Sequence, residues 1–557
     1  MKKIKLLALF LVATFSTYSC KDALEETPYD FVGPNQLGNT EAAANLWVNG
    51  VLNSFNSGDF FAWGVFNRPM EADADDITGK DFAFRELGAG NFQSTSDLNT
   101  VWNGPYALIQ KCSFAIMKIE EMTIEEGVKN NALGQLYFLR GWAYFTLVKA
   151  FGPVPIFKQS VTEGEDPNQP RASVPEVYDF IIQNLKEAET RLYTRSNGKY
   201  QKGRISQEAA KTLLSKVYLT MASGALANAQ VTVLGGKQTQ TVGTRVVRTT
   251  AAPTTYTKAV VAGHESFNAA EYFRLARDKA KEVMAMEGPN MGLFEKQMDI
   301  WTIPNRAGKE HLWQMSAISG SEVFGNIISF QYVGYINPNG TINGAHYGMA
   351  DHWYDLFEFQ DERIREGVIH RWMMFQPGQM HYYPLRDSTY VKNNELGYVS
   401  TDVTSQDQWH IAMLKKFAMI TDRTVSRGDM HVPFLRYAET LLIFAEAENE
   451  ANNGPTAEAY EALNRIRRRS NASDAPAGMN QQEFRSYVLE ERRRELSMEM
   501  NRRWDLVRWG IYLPVMNAID IDANNIIKRR QERHLLFPIP LNEVNGNTSI
   551  NVNNPGW

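Results

Sequence analysis

The run EADADD, Glu71 to Asp76, places four carboxylates within six residues. Carboxylates this close can hold calcium, or can serve as the acid and nucleophile of a glycosidase. A calcium loop opening at Asp73 would need Gly at its sixth position and Glu at its twelfth, where the chain has Thr78 and Phe84. Three readings remain: a solvated loop, a hydrogen-bonding site for a polar ligand, or an enzyme using Asp73 or Asp76 with a distant Glu. A second charged run, ERRRELSMEMNRRWDLVRWG from Glu491 to Gly510, sets six arginines against Glu491, Glu495, Glu499 and Asp505. At helical spacing Phe484, Val488, Leu496, Met500 and Trp504 share one stripe, and Arg492 falls on it. A buried arginine there needs a partner, with Glu495 or Glu499 within reach along the helix. The chain's formal charge of −5 and pI near 6.1 make this a local excess of base, ion-paired within itself, and exclude a general nucleic-acid binder.

Other catalytic signatures are missing from the sequence. No Gly-Lys pair is followed by Ser or Thr, GAGNFQ at Gly88 lacks the third glycine of a dinucleotide fingerprint, and neither HExxH nor G-x-S-x-G occurs. No catalytic residue, cofactor or metal site is therefore expected. Aromatic residues form 11% of the chain, and many stand in segments that read as loops: Phe60, Phe61, Trp63, Phe66, Phe92, Tyr332, Tyr335, Tyr347, Tyr382 and Tyr383. Their faces can stack on the C–H faces of sugars while Asn, Asp and Arg bind hydroxyls; a peptide could use the same lining.

These residues need a scaffold, and apolar periodicity supplies one. Helical stripes run over Glu41 to Phe55, Val101 to Met122, Leu133 to Phe151, Pro175 to Tyr193, Ser206 to Ala222 and Ala269 to Met286. A second block holds Pro433 to Asn452, Thr456 to Arg469 and Gln481 to Trp509. Gly454-Pro455 is too short a connection for anything but an antiparallel pair, with Thr456 capping the second helix. Consecutive pairs of this kind predict an all-α scaffold resembling tetratricopeptide arrays. Residues 229–261 alternate β-branched and polar residues around Gly235-Gly236, which predicts a β-hairpin insertion. Residues 288–432 are rich in Gly, Asn, Pro and aromatics and form the expected loop-rich, ligand-binding region.

The chain opens MKKIKLLALFLVATFSTYSC, with three lysines, an apolar run and a cysteine after small polar residues. This predicts an export signal over 1–19, lipid attachment at Cys20 as in a lipobox, and a polar tether over 20–40, leaving Cys112 as the remaining thiol. Thr17 stands where such boxes usually carry Leu. A single folded unit is expected over 41–557.

Four segments, RGWAYFTLVKAFGPVPIF from Arg140, FLRYAETLLIFAEAENEANN from Phe434, the stretch at Glu491 to Gly510, and LLFPIPLNEVNGNTSINVNNPGW at the end, resemble in order and spacing the SusD/RagB nutrient-binding lipoproteins of Bacteroidetes outer membranes. VWNGPYALIQKC at Val101 and ALNRIRRRS at Ala462 extend the resemblance over the mature chain. It implies four tetratricopeptide-like helix pairs with an irregular extension, a lipid anchor at the cell surface, and a SusC-like TonB-dependent transporter as partner. The implied function is non-catalytic capture of an oligosaccharide, or in some members a peptide, and its delivery to the transporter. The positions matching the family's glycan sites are Asp73, Arg85, Trp102, Asn103, Tyr332 and Tyr335. Met500 stands where relatives tend to have Gly, and the 229–261 insertion is outside the family pattern. A surface glycoside hydrolase and a protein-only helical-repeat adaptor are the rival classes.

Overall fold

Side-chain caps mark where the helices begin. Thr40 caps α1 (Glu41–Leu52), and α2 (Asp97–Glu120) and α3 (Glu126–Phe151) follow. Ser173 and Glu176 form a reciprocal capping box at α4 (Val174–Arg191), while Ser206 and Asn268 cap α5 (Gln207–Ala225) and α6 (Ala269–Met284). After the loop-rich region come α7 (Tyr437–Ala451), α8 (Ala457–Arg469, capped by Thr456), α9 (Gln481–Glu495, with an Asn480–Glu483 box), α10 (Arg502–Arg508) and α11 (Tyr512–Ile519). The computed structural model describes residues 37–384 and 410–557, apart from 63, 80, 81, 95, 374–376, 378 and 379. The export segment, Cys20 and most of the tether lie outside the described residues.

From α2 to α7 each helix packs on the next, and both α8 and α9 lean on α7. The protein is thus a mainly helical array with short strands, as expected, and α6 meets α7 across the whole loop-rich insertion. One apolar core runs through it. Its centre is aromatic: Trp313 stacks on Phe434 at 4.3 Å between ring centroids, Trp142 meets both edge-on, and Phe55, Phe60, Phe61 and Phe66 close around them. Removing one such ring would cost about 3–5 kcal/mol.

Three expected elements differ. Pro433 to Arg436 is not helical: Val432–Arg436 is a strand, antiparallel to His311–Met315, and α7 begins only at Tyr437. Proline disfavours helix in the residue before it, and the strand carries Phe434 into the aromatic centre. The expected helix from Gln481 to Trp509 breaks after Glu495 and resumes at Arg502, with Met498 and Met500 at φ 52° and 58°. The break is fixed from outside, because the Met500 N–H donates to Glu71 Oε1 at 2.8 Å. The hairpin exists but turns later than expected. β1 (Gln230–Gly235) pairs with β4 (Ala252–Thr257), and beyond Gly236 a second ladder of β2 (Thr239–Val242) and β3 (Arg245–Arg248) turns at Gly243.

The insertion is seated on α9. Thr232 N–H donates to Ser486 Oγ, Leu234 N–H to Glu490, and Arg493 returns a bond to the Leu234 carbonyl at 2.8 Å. Val231 and Val233, on one face of β1, are buried.

Candidate ligand-binding surface

The two charged runs singled out in the sequence meet each other inside the protein. Asp73 is 1% exposed. Its Oδ1 accepts from Arg530 Nε at 2.9 Å, and its Oδ2 accepts from Arg503 and from the Tyr512 hydroxyl. Arg502 grips Asp75 through two bonds of 2.8 and 2.7 Å, and Arg493 reaches Asp76 at 3.3 Å. Burial pushes the Asp73 and Asp75 carboxyls up, but the facing guanidiniums outweigh it and hold both below the ordinary range. Asp76 is pushed up by burial and by the Asp75 charge. Glu71 rises to about 7, because burial exceeds the help of Tyr332, Met500 N–H and Lys416.

This arrangement corrects three expectations. The acidic run is not a solvated loop, Asp73 has no face left for a ligand, and neither Asp73 nor Asp76 stands open to substrate. The physical reason is charge matching, since a buried carboxylate persists only when paired. Arg492 is paired as required, but with Asp505 at 2.9 Å and Glu439 at 3.2 Å. Glu495 and Glu499 instead face Arg436, brought by the strand that replaced the start of α7.

Among the aromatic residues read as loop platforms, burial leaves little choice. Phe60, Phe61, Phe66, Phe92, Tyr332, Tyr347, Tyr382 and Tyr383 are all buried. Trp63 lies outside the described residues. Tyr332 donates from its hydroxyl to Glu71 at 2.7 Å and packs on Phe417 and Tyr347. Trp102, in the second turn of α2, lies against Phe151 and Tyr106, with half-buried Asn103 beside it. Tyr332 and Trp102 are therefore packing residues. Arg85 is exposed on the short helix Phe82–Gly88. That helix follows strand Ile77–Gly79, which pairs with Tyr347–Met349 and so ties the 71–88 segment to the end of the loop carrying Tyr335.

Tyr335 is the described exception, half-buried and accompanied. It stacks on half-buried Phe330 with centroids 5.8 Å apart and planes 28° from parallel, and His346 meets Phe330 edge-on at 5.2 Å. Exposed Asn343 lies opposite it across a two-residue ladder and donates to its hydroxyl at 2.9 Å. The turn between is fixed by its own amides: Asn337 Nδ2 donates to Thr341 Oγ1, and Asn339 Oδ1 accepts from the Thr341 N–H and hydroxyl. Gly334 begins this ribbon at φ 68°, where a Cβ would come within 2.4 Å of Ile342, so no larger residue fits. Arg423 holds the Val333 and Gly334 carbonyls from below.

The result is a rigid aromatic step edged by amides, on a segment, 325–348, that contains no Asp, Glu, Lys or Arg. Ring faces and neutral hydrogen-bonding groups suit a polyhydroxylated ring, and this segment has no carboxylate for acid catalysis. Phe330, His346 and the Asn337–Asn343 turn were not singled out in the sequence, although the run YINPNGTINGAHY carried the signal. Among the described residues no group of three His, Cys, Asp or Glu is placed to hold a metal ion, and no helix is long and apolar enough to cross a membrane.

Known proteins share this architecture. A family model described as the SusD family matches residues 309–557, and another, described as starch-binding associating with outer membrane, matches residues 40–219. The SusD-like protein P2 of Formosa agariphila is 23% identical over the full length of both chains. A SusD-like protein of Bacteroides ovatus is 31% identical over 134 residues, 23% of this chain and 24% of its own. Among solved structures, a SusD homologue from Bacteroides thetaiotaomicron superposes with a TM-score of 0.74 at 21% identity, covering 93% of this chain and 97% of that one. A laminarin binding SusD-like protein gives 0.65 at 20% identity, covering 93% and 100%.

Proposed function

The chain belongs to the SusD family, and from that premise we propose that it is a cell-surface glycan-binding protein that captures an oligosaccharide and passes it to a SusC-like TonB-dependent transporter. The observation that carries the binding step is the Phe330–Tyr335–His346 surface with its asparagine edge. Tyr335 offers a ring face, Asn343 and the 337–341 turn offer donors and acceptors, and exposed Arg85 completes the contact set from the adjoining segment. Asn103 is half-buried on α2, while Asp73, Trp102 and Tyr332 are ion-pairing and packing residues of the scaffold. The laminarin binding relative and the starch-binding description of the family model support a glycan over a peptide. A neutral glycan fits the uncharged loop better than an acidic one.

The protein acts by binding, without turnover, and lipid at Cys20 holds it to the outer membrane. Retention on a panel of immobilised polysaccharides and peptides tests the reading, followed by calorimetry with the best oligosaccharide. Binding confined to peptides, or release of reducing ends from a bound glycan, would refute it. Replacing Cys20 with Ala should free the protein from membranes prepared without the transporter.

A further inference from the structure

Three of the segments that read as scaffold in the sequence converge on the lining of a 580 Å³ cavity. RGWAYFTLVKAFG contributes Phe145, Val148 and Lys149, the stretch at Glu491 to Gly510 contributes Arg492 and Trp504, and LLFPIP contributes Leu535 and Leu536. The base of the hairpin closes one side, with Val260, 37% exposed, in the wall. The cavity shares no residue with the Tyr335 surface. Its size falls in the range of small-molecule sites, and its walls are chiefly apolar.

The polar atoms of this lining are unevenly matched. Lys216 is paired with Glu439, and Arg508 with Glu446 and Asp505. Lys149 has no carboxylate within ion-pair distance among the described residues. Its Nζ lies 4.4 Å from the centre of the Phe145 ring and 5.4 Å from that of Trp504. Trp504 Nε1 and Arg492 Nη1 are buried without a hydrogen-bond partner. All three are donors, and none can accept. Burial pulls the Lys149 ammonium down to about 7, with Lys216 adding to the pull and Glu439 and Asp505 opposing it. A cation held by two rings in an apolar chamber lacks one thing, an anion.

We propose that this cavity binds an organic carboxylate with an apolar body, its head at Lys149 and its body along Phe145, Leu535 and Leu536. The site is separate from glycan capture and places a second ligand class on the scaffold. A carboxylate there pairs the half-buried Lys149 ammonium. An alcohol or amide of the same shape could fill the space but not neutralise Lys149.

Calorimetry with 4-phenylbutyrate and its neutral amide, 4-phenylbutyramide, on the full folded chain tests this. The acid should bind once per chain and more tightly than the amide. Lys149→Met keeps an unbranched apolar stem, one atom shorter, while removing the charge. It should weaken the acid by at least about tenfold, leave the amide unchanged, and preserve the melting temperature. Val260→Trp, which fills the chamber from its wall, should weaken both ligands. Absence of one-to-one binding to the unaltered protein would overturn the proposal. So would equal affinity of the acid for the protein and Lys149→Met, or undiminished binding to Val260→Trp. Glycan retention, read in the same preparations, is independent of either outcome.

Discussion

Replacing Asp73 with Asn separates a structural carboxylate from a ligand-binding one. The substitution keeps the shape of the side chain and removes the charge facing Arg503 and Arg530, both of which are buried. Breaking a buried pair from one side costs about 3–5 kcal/mol, because the remaining charge stays out of water without compensation. For a chain this long that corresponds to a melting temperature lower by on the order of 5 °C. The loss should be largest near neutral pH. Asp73 is held below the ordinary carboxylate range, so its contribution is complete above the unfolded value of about 4 and disappears as pH falls through its folded value. The two melting curves should therefore approach each other in acid. Substituting Arg503 with Met in the Asp73→Asn background should recover part of the loss, since the orphaned cation is then gone. Thermal unfolding from pH 3 to 8 measures this, with glycan retention measured alongside. A variant that melts like the parent at pH 7 yet no longer retains glycan would refute the structural assignment and return Asp73 to the binding site.

Other outcomes follow from the same geometry. Tyr335→Ala and Phe330→Ala should each weaken oligosaccharide binding about three- to tenfold in calorimetry, with little change in melting temperature, because a partly open ring contributes roughly 0.5–1.5 kcal/mol beyond its buried area. At Met500, whose φ is 58°, glycine should be more stable than alanine by about 1 kcal/mol in thermal unfolding, the reverse of the order in a helix interior; equal stability would show that the backbone is not strained there. Glu71 is raised to about 7 in the folded protein, so the native state binds its proton more tightly than the unfolded chain does, and this residue makes stability fall as pH rises from about 4.5 to 7. Glu71→Gln should flatten that part of the melting-temperature profile, and an unchanged slope would exclude Glu71 as its source.

Much of the scaffold was legible from local signals. The cap at Thr456 and the apolar stripes located most long helices, because caps and stripes depend on residues a few positions apart. The family resemblance rested on segments that are legible for the same reason. The hairpin's alternation was visible too, but its turn was not, since Gly236 and Gly243 both permit one and only the pairing of β1 with β4 selects the later.

What the sequence determined by itself is therefore the helical array, the family, and the requirement that clustered arginines be paired. Tertiary structure decided which carboxylates pair with them, and it brought EADADD, more than four hundred positions away, into the arginine stretch. It also decided which aromatic residues are core and which are surface. Phe60 and Tyr335 look alike in sequence, both aromatic in a loop, yet one is at the centre of the core and the other half open on a ribbon edge. The physical reason is the same in both cases: burial and charge matching depend on partners distant in sequence, and local composition carries no record of them.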